Sequence, residues 1–369
     1  MSLNRTLNAL LLTSLWVLPQ APAQAVPAGV PTQPVSADCP REVVVPYTGH
    51  LQLPSKYDQS DASKSTLRTE LAAEPEAIKA QIQAYSKQVV GFADYYLSHT
   101  GDRHRRGALA CLHGALGSWA DAGALLSTDA SKTGVAVRKW SLAAIATAAW
   151  KLQRLSTDAQ PFRLTGPERA WLAALATQVE REYAPRLDPD FRYFNNHDYW
   201  AGWALVVTAM TLEQPAFGEL GYRIFDRALS QIEQDDSGQL GWLPNEVARA
   251  HLATNYLNYA LNPLALLARH AAANGHAMSA DQRQRLRSLV RFVVAAELAP
   301  TRLPPVLAQE QEPVPDYKFA WLLPLLDLDP RPSGAWTLYQ RKAGNVDGYS
   351  QAGGRLAPLY PAASLGPQP

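Results

Sequence analysis

Residues 107–126 read GALACLHGALGSWADAGALL and carry the pattern that decides the fold. Apolar or small side chains recur along this stretch at steps of three and four, namely at Leu109, Leu112, Leu116, Trp119, Gly123 and Leu126. Such spacing places the side chains on one face of an α-helix, whereas a half-buried strand would alternate at every second residue. The stretch therefore predicts an amphipathic helix.

Similar patterns outward from this stretch predict a protein built of helices. Helical segments are predicted at Val135–Leu155, Pro167–Tyr183, Asn196–Leu212, Ala216–Ile232, Asn245–Ala273 and Ala280–Leu298. Capping boxes are predicted at Thr165 with Glu168 and at Ser279 with Gln282. Successive antiparallel helical hairpins must stack around a shared axis to bury their apolar faces. We expect an all-α fold, an α/α toroid that forms an incomplete barrel around a central cleft.

The bulk composition limits the classes of partner. The chain has 369 residues, 47% of them hydrophobic and 18% charged, which is enough to bury a large core. Its formal net charge of +1 provides no overall field for binding nucleic acid or a membrane surface. An anionic ligand would have to be bound by local cations.

The N-terminus has the pattern of an export signal. Arg5 precedes an apolar run from Leu7 to Leu18, and Ala23-Gln24-Ala25 provides small residues for cleavage. The run is too short to span a bilayer, so no membrane insertion is expected after cleavage. We predict a signal peptide at residues 1–25, an extended Pro-, Ala- and Val-rich arm at 26–47, and one catalytic domain at 48–369.

Two cysteines, Cys39 and Cys111, would both reach the oxidising compartment. A disulfide between them would tie the N-terminal arm to a helix. The alternative is two buried free thiols, because a sequence cannot place two Cα atoms within bonding range.

Two segments combine polar groups suited to an anionic ligand. Asn196 and His197 open an apolar helix, where free backbone N–H groups favour anions, although a helix cap would explain the asparagines equally well. Arg249 and Tyr256 are seven residues apart and, on one continuous helix, would share a face about 10 Å apart. Separate structural roles for these two side chains are the alternative.

Several motifs resemble, in order and spacing, the alginate lyases of polysaccharide lyase family five. They are Ser55-Lys56-Tyr57 with Ser60-Asp61, Arg138-Lys139-Trp140, Asn195-Asn196-His197 with Tyr199-Trp200, Pro244-Asn245-Glu246, and Asn258-Tyr259-Ala260-Leu261. The resemblance covers most of residues 39–324. It implies an α/α toroid that cleaves mannuronate-rich alginate by β-elimination in the periplasm, as a carbon–oxygen lyase without metal or cofactor.

The resemblance also implies roles for individual residues. The catalytic residues would be Asn196, His197, Arg249 and Tyr256, and the substrate-binding residues would be Ser55, Lys56, Lys132, Thr133, Tyr199, Trp200 and Tyr259. Alginate is the expected partner of a monomer, with the alginate secretion machinery as a further partner. Lys132 replaces a histidine expected in relatives, and Gly114-Ala115 replaces a larger polar-aromatic pair, which suggests a wider or differently lined cleft.

β-Elimination explains why these residue types are needed. Removing the C5 proton of a uronate requires its carboxylate to be neutralised, a role for Arg249, Asn196 and a protonated His197. These cations would lower the pKa of Tyr256, which would take the C5 proton and return one to the leaving O4. In β-D-mannuronate the two atoms lie on one face of the ring, so one phenol can serve both steps, whereas α-L-guluronate would need a second residue.

Four alternatives remain open from the sequence. A zinc enzyme is disfavoured, because the chain has no histidines at paired helical spacing. A glycoside hydrolase would need two carboxylates flanking the bond, such as Asp198 and Glu246. The others are a noncatalytic polyuronate-binding protein and a broader lyase acting on glucuronan or hyaluronan.

Overall fold

The computed structural model describes residues 26–299, 307, 309–329, 333–342 and 345–361. The predicted signal peptide at 1–25 lies outside these residues and stays a prediction. Across the described ranges no helix is both long and apolar enough to cross a membrane.

Helices dominate the described part of the chain, which contains eleven of them. They are α1 (Ala73–Ser98), α2 (Asp102–Asp121), α3 (Lys132–Leu155), α4 (Gly166–Tyr183), α5 (Asn196–Leu212), α6 (Ala216–Ser230), α7 (Pro244–Val247), α8 (Ala253–Ala271), α9 (Ala280–Leu298), α10 (Leu322–Leu328) and α11 (Ser333–Arg341). Two short antiparallel ribbons pair β1 (Thr32–Gln33) with β2 (Val43–Val44) and β3 (Glu233–Gln234) with β4 (Gly241–Trp242).

The helices form the predicted α/α toroid. Hairpins α1/α2, α3/α4, α5/α6 and α8/α9 stand side by side. Their first helices pack in the order α1, α3, α5, α8 and form an inner layer, while α2, α4, α6 and α9 lie outside it. Nearly every side chain of α5 is buried because neighbouring helices cover it on all sides. The all-helical toroid expected from the sequence is therefore confirmed.

Local signals fixed several helix ends correctly. The structure has α5 and α9 at the predicted bounds, and both predicted capping boxes are present, at Thr165 with Glu168 and at Ser279 with Gln282. In each box a hydroxyl accepts one free backbone N–H while a side chain three residues later accepts another. These ends depend on neighbours in sequence, so the sequence can specify them.

The segment quoted first is helical but shorter than its pattern. Helix α2 ends at Asp121, and Gly123 (φ +61°) and Leu125 (φ +63°) take left-handed conformations that no helix continues through. Leu126 therefore lies in the following turn. The longest helix among the described residues, α1, is absent from the predicted segments although its buried side chains follow the same spacing.

The continuous helix predicted at Asn245–Ala273 is wrong. Helix α7 ends at Val247, Ala250 takes the left-handed conformation (φ +52°), and α8 begins only at Ala253 after a 3₁₀ turn. A left-handed alanine costs about 1–2 kcal/mol. Gln311 offsets part of this cost, because its amide donates to the Ala250 carbonyl (3.1 Å) and accepts the Thr254 N–H (2.9 Å).

The N-terminal arm is held against α1 and α2. Gln88 of α1 accepts the Val44 N–H (2.9 Å), and the Trp119 indole of α2 donates to the Val44 carbonyl (2.9 Å). Cys39 and Cys111 form a disulfide, with Cα atoms 4.6 Å apart. The arm is thus extended as predicted, with one short ribbon, and is tied to a helix by a covalent bond.

Gly114 receives this arm and does not widen the cleft. A Cβ atom on Gly114 would lie 2.3 Å from a methyl group of Val35, so the arm can approach α2 only because the side chain is missing. The neighbouring Ala115 is fully buried. The prediction of a wider cleft at Gly114-Ala115 is therefore wrong.

Candidate active site

The structure brings the four predicted catalytic side chains to one end of α5. Asn196 and His197 form its first turn, which Asn195 caps by accepting the His197 N–H (2.9 Å). Arg249 sits in the break between α7 and α8, and Tyr256 lies on the first turn of α8. The short helix α7 joins the two groups, because its Glu246 contacts Asn196.

Asn196 is held by a buried carboxyl group. Its backbone N–H donates to Glu246 Oε1 (2.7 Å), and its Nδ2 donates to Oε1 (3.1 Å) and Oε2 (2.9 Å). Burial raises the pKa of Glu246 to about 7, although the Asn196 hydrogen bonds and Arg249 oppose the rise. The Oδ1 atom of Asn196 is buried without a partner among the described residues, so this side of the amide is unsatisfied.

His197 is held by a lysine. The Nζ atom of Lys139 lies 3.1 Å from His197 Nδ1, and the indole of Trp140 lies beside the imidazole, with ring centres 5.4 Å apart. Burial, followed by the charges of Lys139, Arg186 and Arg249, lowers the pKa of His197 well below its ordinary value. Burial and these three cations therefore oppose the protonated His197 expected from the sequence, and no acidic side chain in the described structure pairs with the imidazole.

The break before α8 places Arg249 directly over Tyr256. The Arg249 guanidinium carbon lies 3.9 Å from the centre of the Tyr256 ring and 5.0 Å from that of Tyr57. One guanidinium nitrogen donates to the Lys64 carbonyl (2.6 Å), whereas Nε is buried without a partner among the described residues. On a continuous helix the two side chains would be two turns apart; the turn at Ala250 brings them into contact.

Tyr256 is a neutral phenol in this state. Its hydroxyl donates to the Tyr57 hydroxyl (2.8 Å), a contact that joins α8 to the loop after the arm. Burial raises the pKa of Tyr256, and the opposing charge of Arg249 is too weak to reverse the shift. Arg249 thus lowers this pKa as expected, but burial outweighs its charge, and the net shift is upward.

The predicted sugar-binding residues lie on two neighbouring segments. Ser55 accepts the Tyr57 N–H (3.1 Å), and the exposed Lys56 places Nζ 4.9 Å from the Tyr57 ring centre. Lys132 and Thr133 form the first turn of α3, where Lys132 is exposed and lies two turns before Lys139 on the same helix face. No hydrogen bond or ion pair joins Lys132 or Thr133 to the four catalytic side chains in the described structure.

Two of the three predicted aromatic platforms are core residues. Tyr199 is 1% exposed and Trp200 is 0% exposed, so neither can contact a sugar, and their prediction as substrate-binding residues is wrong. The sequence could not separate them from groove residues because they open the same helix as His197. Tyr259 is half-buried, and its hydroxyl accepts a hydrogen bond from Gln351 (2.7 Å), which leaves it a candidate.

Sequence reasoning missed several residues that shape the site. Lys318 lies 6.0 Å from the Tyr256 ring centre and 5.5 Å from that of Tyr259, and its Nζ donates to Asn255. Burial, with a smaller contribution from Lys56, lowers the pKa of Lys318 to about 8. Both Lys318 and Gln351 come from C-terminal segments without a motif, whereas Lys139 stood in a quoted motif and received no role.

The two carboxylates of the hydrolase alternative are sequestered. Asp198 and Glu246 are both 0% exposed. Asp198 accepts from Arg186 (2.7 Å) and from the Asn195 N–H (2.9 Å), so it is a cap and an ion-pair partner. Neither side chain can reach a glycosidic bond. No cluster of three or more His, Cys, Asp or Glu side chains suited to a metal occurs in the described part of the chain.

The site at one end of the helical toroid is lined by cations, as a site for an acidic ligand requires. A family model, alginate lyase, matches residues 52–302. The chain therefore belongs to the alginate lyase family.

Individual relatives agree with this assignment. The chain is 33% identical to an alginate lyase of Pseudomonas putida over 286 residues, covering 76% of this chain and 74% of the relative. It is 32% identical to an alginate lyase of Azotobacter vinelandii, covering 78% and 75%.

Solved structures show the same fold at lower identity. Alginate lyase A1-III from Sphingomonas species A1 superposes with a TM-score of 0.66 at 19% identity, covering 89% of this chain and 88% of that one. A tyrosine-to-phenylalanine variant of A1-III complexed with a tetrasaccharide superposes with a TM-score of 0.67 at 20% identity, with the same coverage.

Proposed function

We propose that this protein is an exported lyase that cleaves mannuronate-rich alginate by β-elimination. The observation that carries the proposal is the contact between Arg249 and Tyr256, a cation and a phenol 3.9 Å apart beside the first turn of α5. A carboxylate bound to Arg249 would bring the adjacent C5 proton close to the Tyr256 oxygen. Family membership supports the same reaction.

The reaction breaks the C5–H and C4–O4 bonds and forms a second C4–C5 bond and an O4–H bond. After the Tyr256 phenol loses its own proton to solvent, the phenolate removes the C5 proton, the C4–O4 bond breaks as the C4–C5 double bond forms, and the proton returns from Tyr256 to O4. Arg249 stabilises the charge that develops on the carboxylate, and Asn196 and His197 provide hydrogen bonds. Since the resting phenol donates to Tyr57, substrate must replace that hydrogen bond before the proton transfer.

The high pKa of Tyr256 affects the expected pH dependence. A neutral phenol is ready to protonate O4 but must first lose its proton to act as a base. Turnover should therefore rise with pH above neutrality, until the cations of the site lose their charge. The mannuronate preference follows from one residue serving both steps on one face of the ring.

One assay tests the reaction type and the substrate together. The mature protein is incubated with polymannuronate, polyguluronate and glucuronan in EDTA, and the ultraviolet absorbance of the new double bond is followed. We expect the fastest rise with polymannuronate. Equal rates on glucuronan would favour the broader polyuronate lyase, and binding without absorbance on any polymer would favour a noncatalytic binding protein.

Location and assembly are proposed from the N-terminal pattern. We expect cleavage after Ala25, release of a monomer into the periplasm, and association there with the alginate secretion machinery. N-terminal sequencing of the protein from a periplasmic fraction tests the first step, and retention of residues 1–25 would contradict it. Sedimentation tests the second, and recovery with secretion components after crosslinking tests the third.

A further inference from the structure

Lys139 is a fully buried cation whose nearest polar partner is a catalytic residue. Its Nζ lies 3.1 Å from His197 Nδ1 and over two aromatic faces, 4.7 Å from the Trp140 ring centre and 5.3 Å from that of Tyr183. The carboxylates that act on it are engaged elsewhere, Asp198 with Arg186 and Glu182 with Arg138. Within the described structure, Lys139 forms no ion pair.

The pairing of an amine with an imidazole fixes where a shared proton lies. An unperturbed amine is more basic than an imidazole by about four pKa units. Burial lowers the pKa of both Lys139 and His197, so their order is kept and a single shared proton belongs on Nζ. An ammonium group can only donate, and His197 Nδ1 must then accept. The neutral imidazole consequently carries its own hydrogen on Nε2.

The surroundings of the pair are consistent with one proton. Burial lowers the pKa of Lys139 well below its ordinary value, and the Asp198 carboxylate opposes this shift. The faces of Trp140 and Tyr183 also favour an ammonium group. Two further cations, Arg186 and Arg249, oppose the addition of a second proton, which would have to bind His197. The charged and titratable groups that act on the pair are Glu182, Tyr183, Arg186, Asp198 and Arg249.

We propose that Lys139 is a positioning residue that holds His197 as a neutral Nε2–H donor and so prevents it from acting as a base. The inference rests on the proposed function and deepens it. Abstraction of C5 hydrogen from α-L-guluronate needs a base on the face opposite to Tyr256. An imidazole whose Nε2 carries hydrogen cannot serve there, so the Lys139 hydrogen bond favours mannuronate linkages.

The state of His197 can be measured without any assay of activity. Protein labelled with ¹⁵N in histidine is examined at pH 7 by long-range ¹H–¹⁵N correlation, which separates bare from protonated ring nitrogens. The His197 signals are assigned by their loss in His197→Gln. We expect a neutral ring with hydrogen on Nε2. An imidazolium, or hydrogen on Nδ1, would overturn the inference.

Substitution tests whether Lys139 causes this state. Lys139→Met removes the donor at similar length, and hydrogen should then move in part to Nδ1. Thr147→Val is the control, because Thr147 is also fully buried on α3 but its hydroxyl bonds to Ala143 and Trp203, and the His197 spectrum should not change. If Lys139→Met does not fold, the shorter Lys139→Gln replaces it. An unchanged tautomer in a folded Lys139 variant would overturn the inference.

Rates on two polymers test the consequence for specificity. In Lys139→Met we expect polymannuronate turnover to fall roughly tenfold to a hundredfold, and the ratio of polyguluronate to polymannuronate rates to rise. A fall on both polymers with an unchanged ratio would contradict the role in specificity. Absence of lyase activity in the wild type would reject the proposed function alone, since the tautomer measurement still decides whether Lys139 sets the state of His197.

Discussion

Replacement of Glu246 by glutamine should stabilise the protein, and increasingly so as the pH rises. Glu246 is fully buried, and its hydrogen-bond partner in the described structure is Asn196. Glutamine has nearly the same shape and never ionises. Its oxygen can still accept the Asn196 backbone N–H, and if the Asn196 amide turns over, its Oδ1 can accept from the glutamine amide.

The magnitude follows from the shifted pKa. A rise from 4.5 to about 7 corresponds to roughly 3 kcal/mol of unfolding free energy. Between these values the folded protein keeps a proton that the unfolded chain has released. The free energy of unfolding therefore falls as the pH rises through this window, and the full cost is present above pH 7. Glu246→Gln lacks this cost, so its advantage over the wild type should appear between pH 5 and 8.

Urea unfolding at several pH values measures this difference. Tryptophan fluorescence and far-ultraviolet circular dichroism should give coincident transitions. Glu297→Gln is a matched control, because burial also raises the pKa of Glu297 to about 7 at a position away from the four catalytic residues. It should show the same trend in stability without a change in turnover.

Turnover gives a second measure of the same contact. In Glu246→Gln the Nδ2 of Asn196 is released toward the substrate carboxylate, so activity should be retained. Glu246→Ala instead leaves two Asn196 donors unpaired, at about 1–3 kcal/mol each. Loss of both stability and turnover in Glu246→Gln at every pH would refute the reasoning, because it would show that Asn196 requires an ionised carboxylate.

Three further perturbations test the site. Tyr256→Phe should lower turnover by roughly a thousandfold while polymer binding, measured by calorimetry, is retained; substantial residual turnover would show that another group moves the proton. Because the pKa of Lys318 is about 8, its charge is present below that pH, and KM should rise between pH 7 and 9 in the wild type but not in Lys318→Met. Asp198→Ala removes a cap and a buried ion-pair partner, and should cost about 3–4 kcal/mol in urea unfolding; a loss below 1 kcal/mol would contradict the roles of Arg186 and Asn195.

The sequence specified features that depend on neighbours along the chain. Helices α5 and α9 have their predicted bounds because their caps and apolar spacing are local. The break at Ala250 was unpredictable from its own segment, because Gln311, some sixty residues later, satisfies the exposed backbone groups. The burial of Tyr199 and Trp200 likewise depends on helices and C-terminal segments that no local pattern reveals.

The candidate site, like the fold, could be predicted only in part from the sequence. Motif resemblance selected Asn196, His197, Arg249 and Tyr256, and the fold brings all four together. Their protonation could not be predicted, because it depends on burial and on Lys139, which approaches from another helix. At Tyr256, for example, the sequence suggests a nearby cation that lowers the pKa. Burial of the phenol away from water raises the pKa by more than this charge lowers it.

The C-terminal segment completes the site, which has a consequence for the order in which activity arises during synthesis. The buried Lys151 donates to Asp94 and to the carbonyls of Gly353 (2.6 Å) and Arg355 (3.0 Å), and so docks the segment whose Gln351 contacts Tyr259. These residues are synthesised after the catalytic four. A nascent chain would therefore remain inactive until this segment has emerged, and termination before it would leave the cleft unfinished.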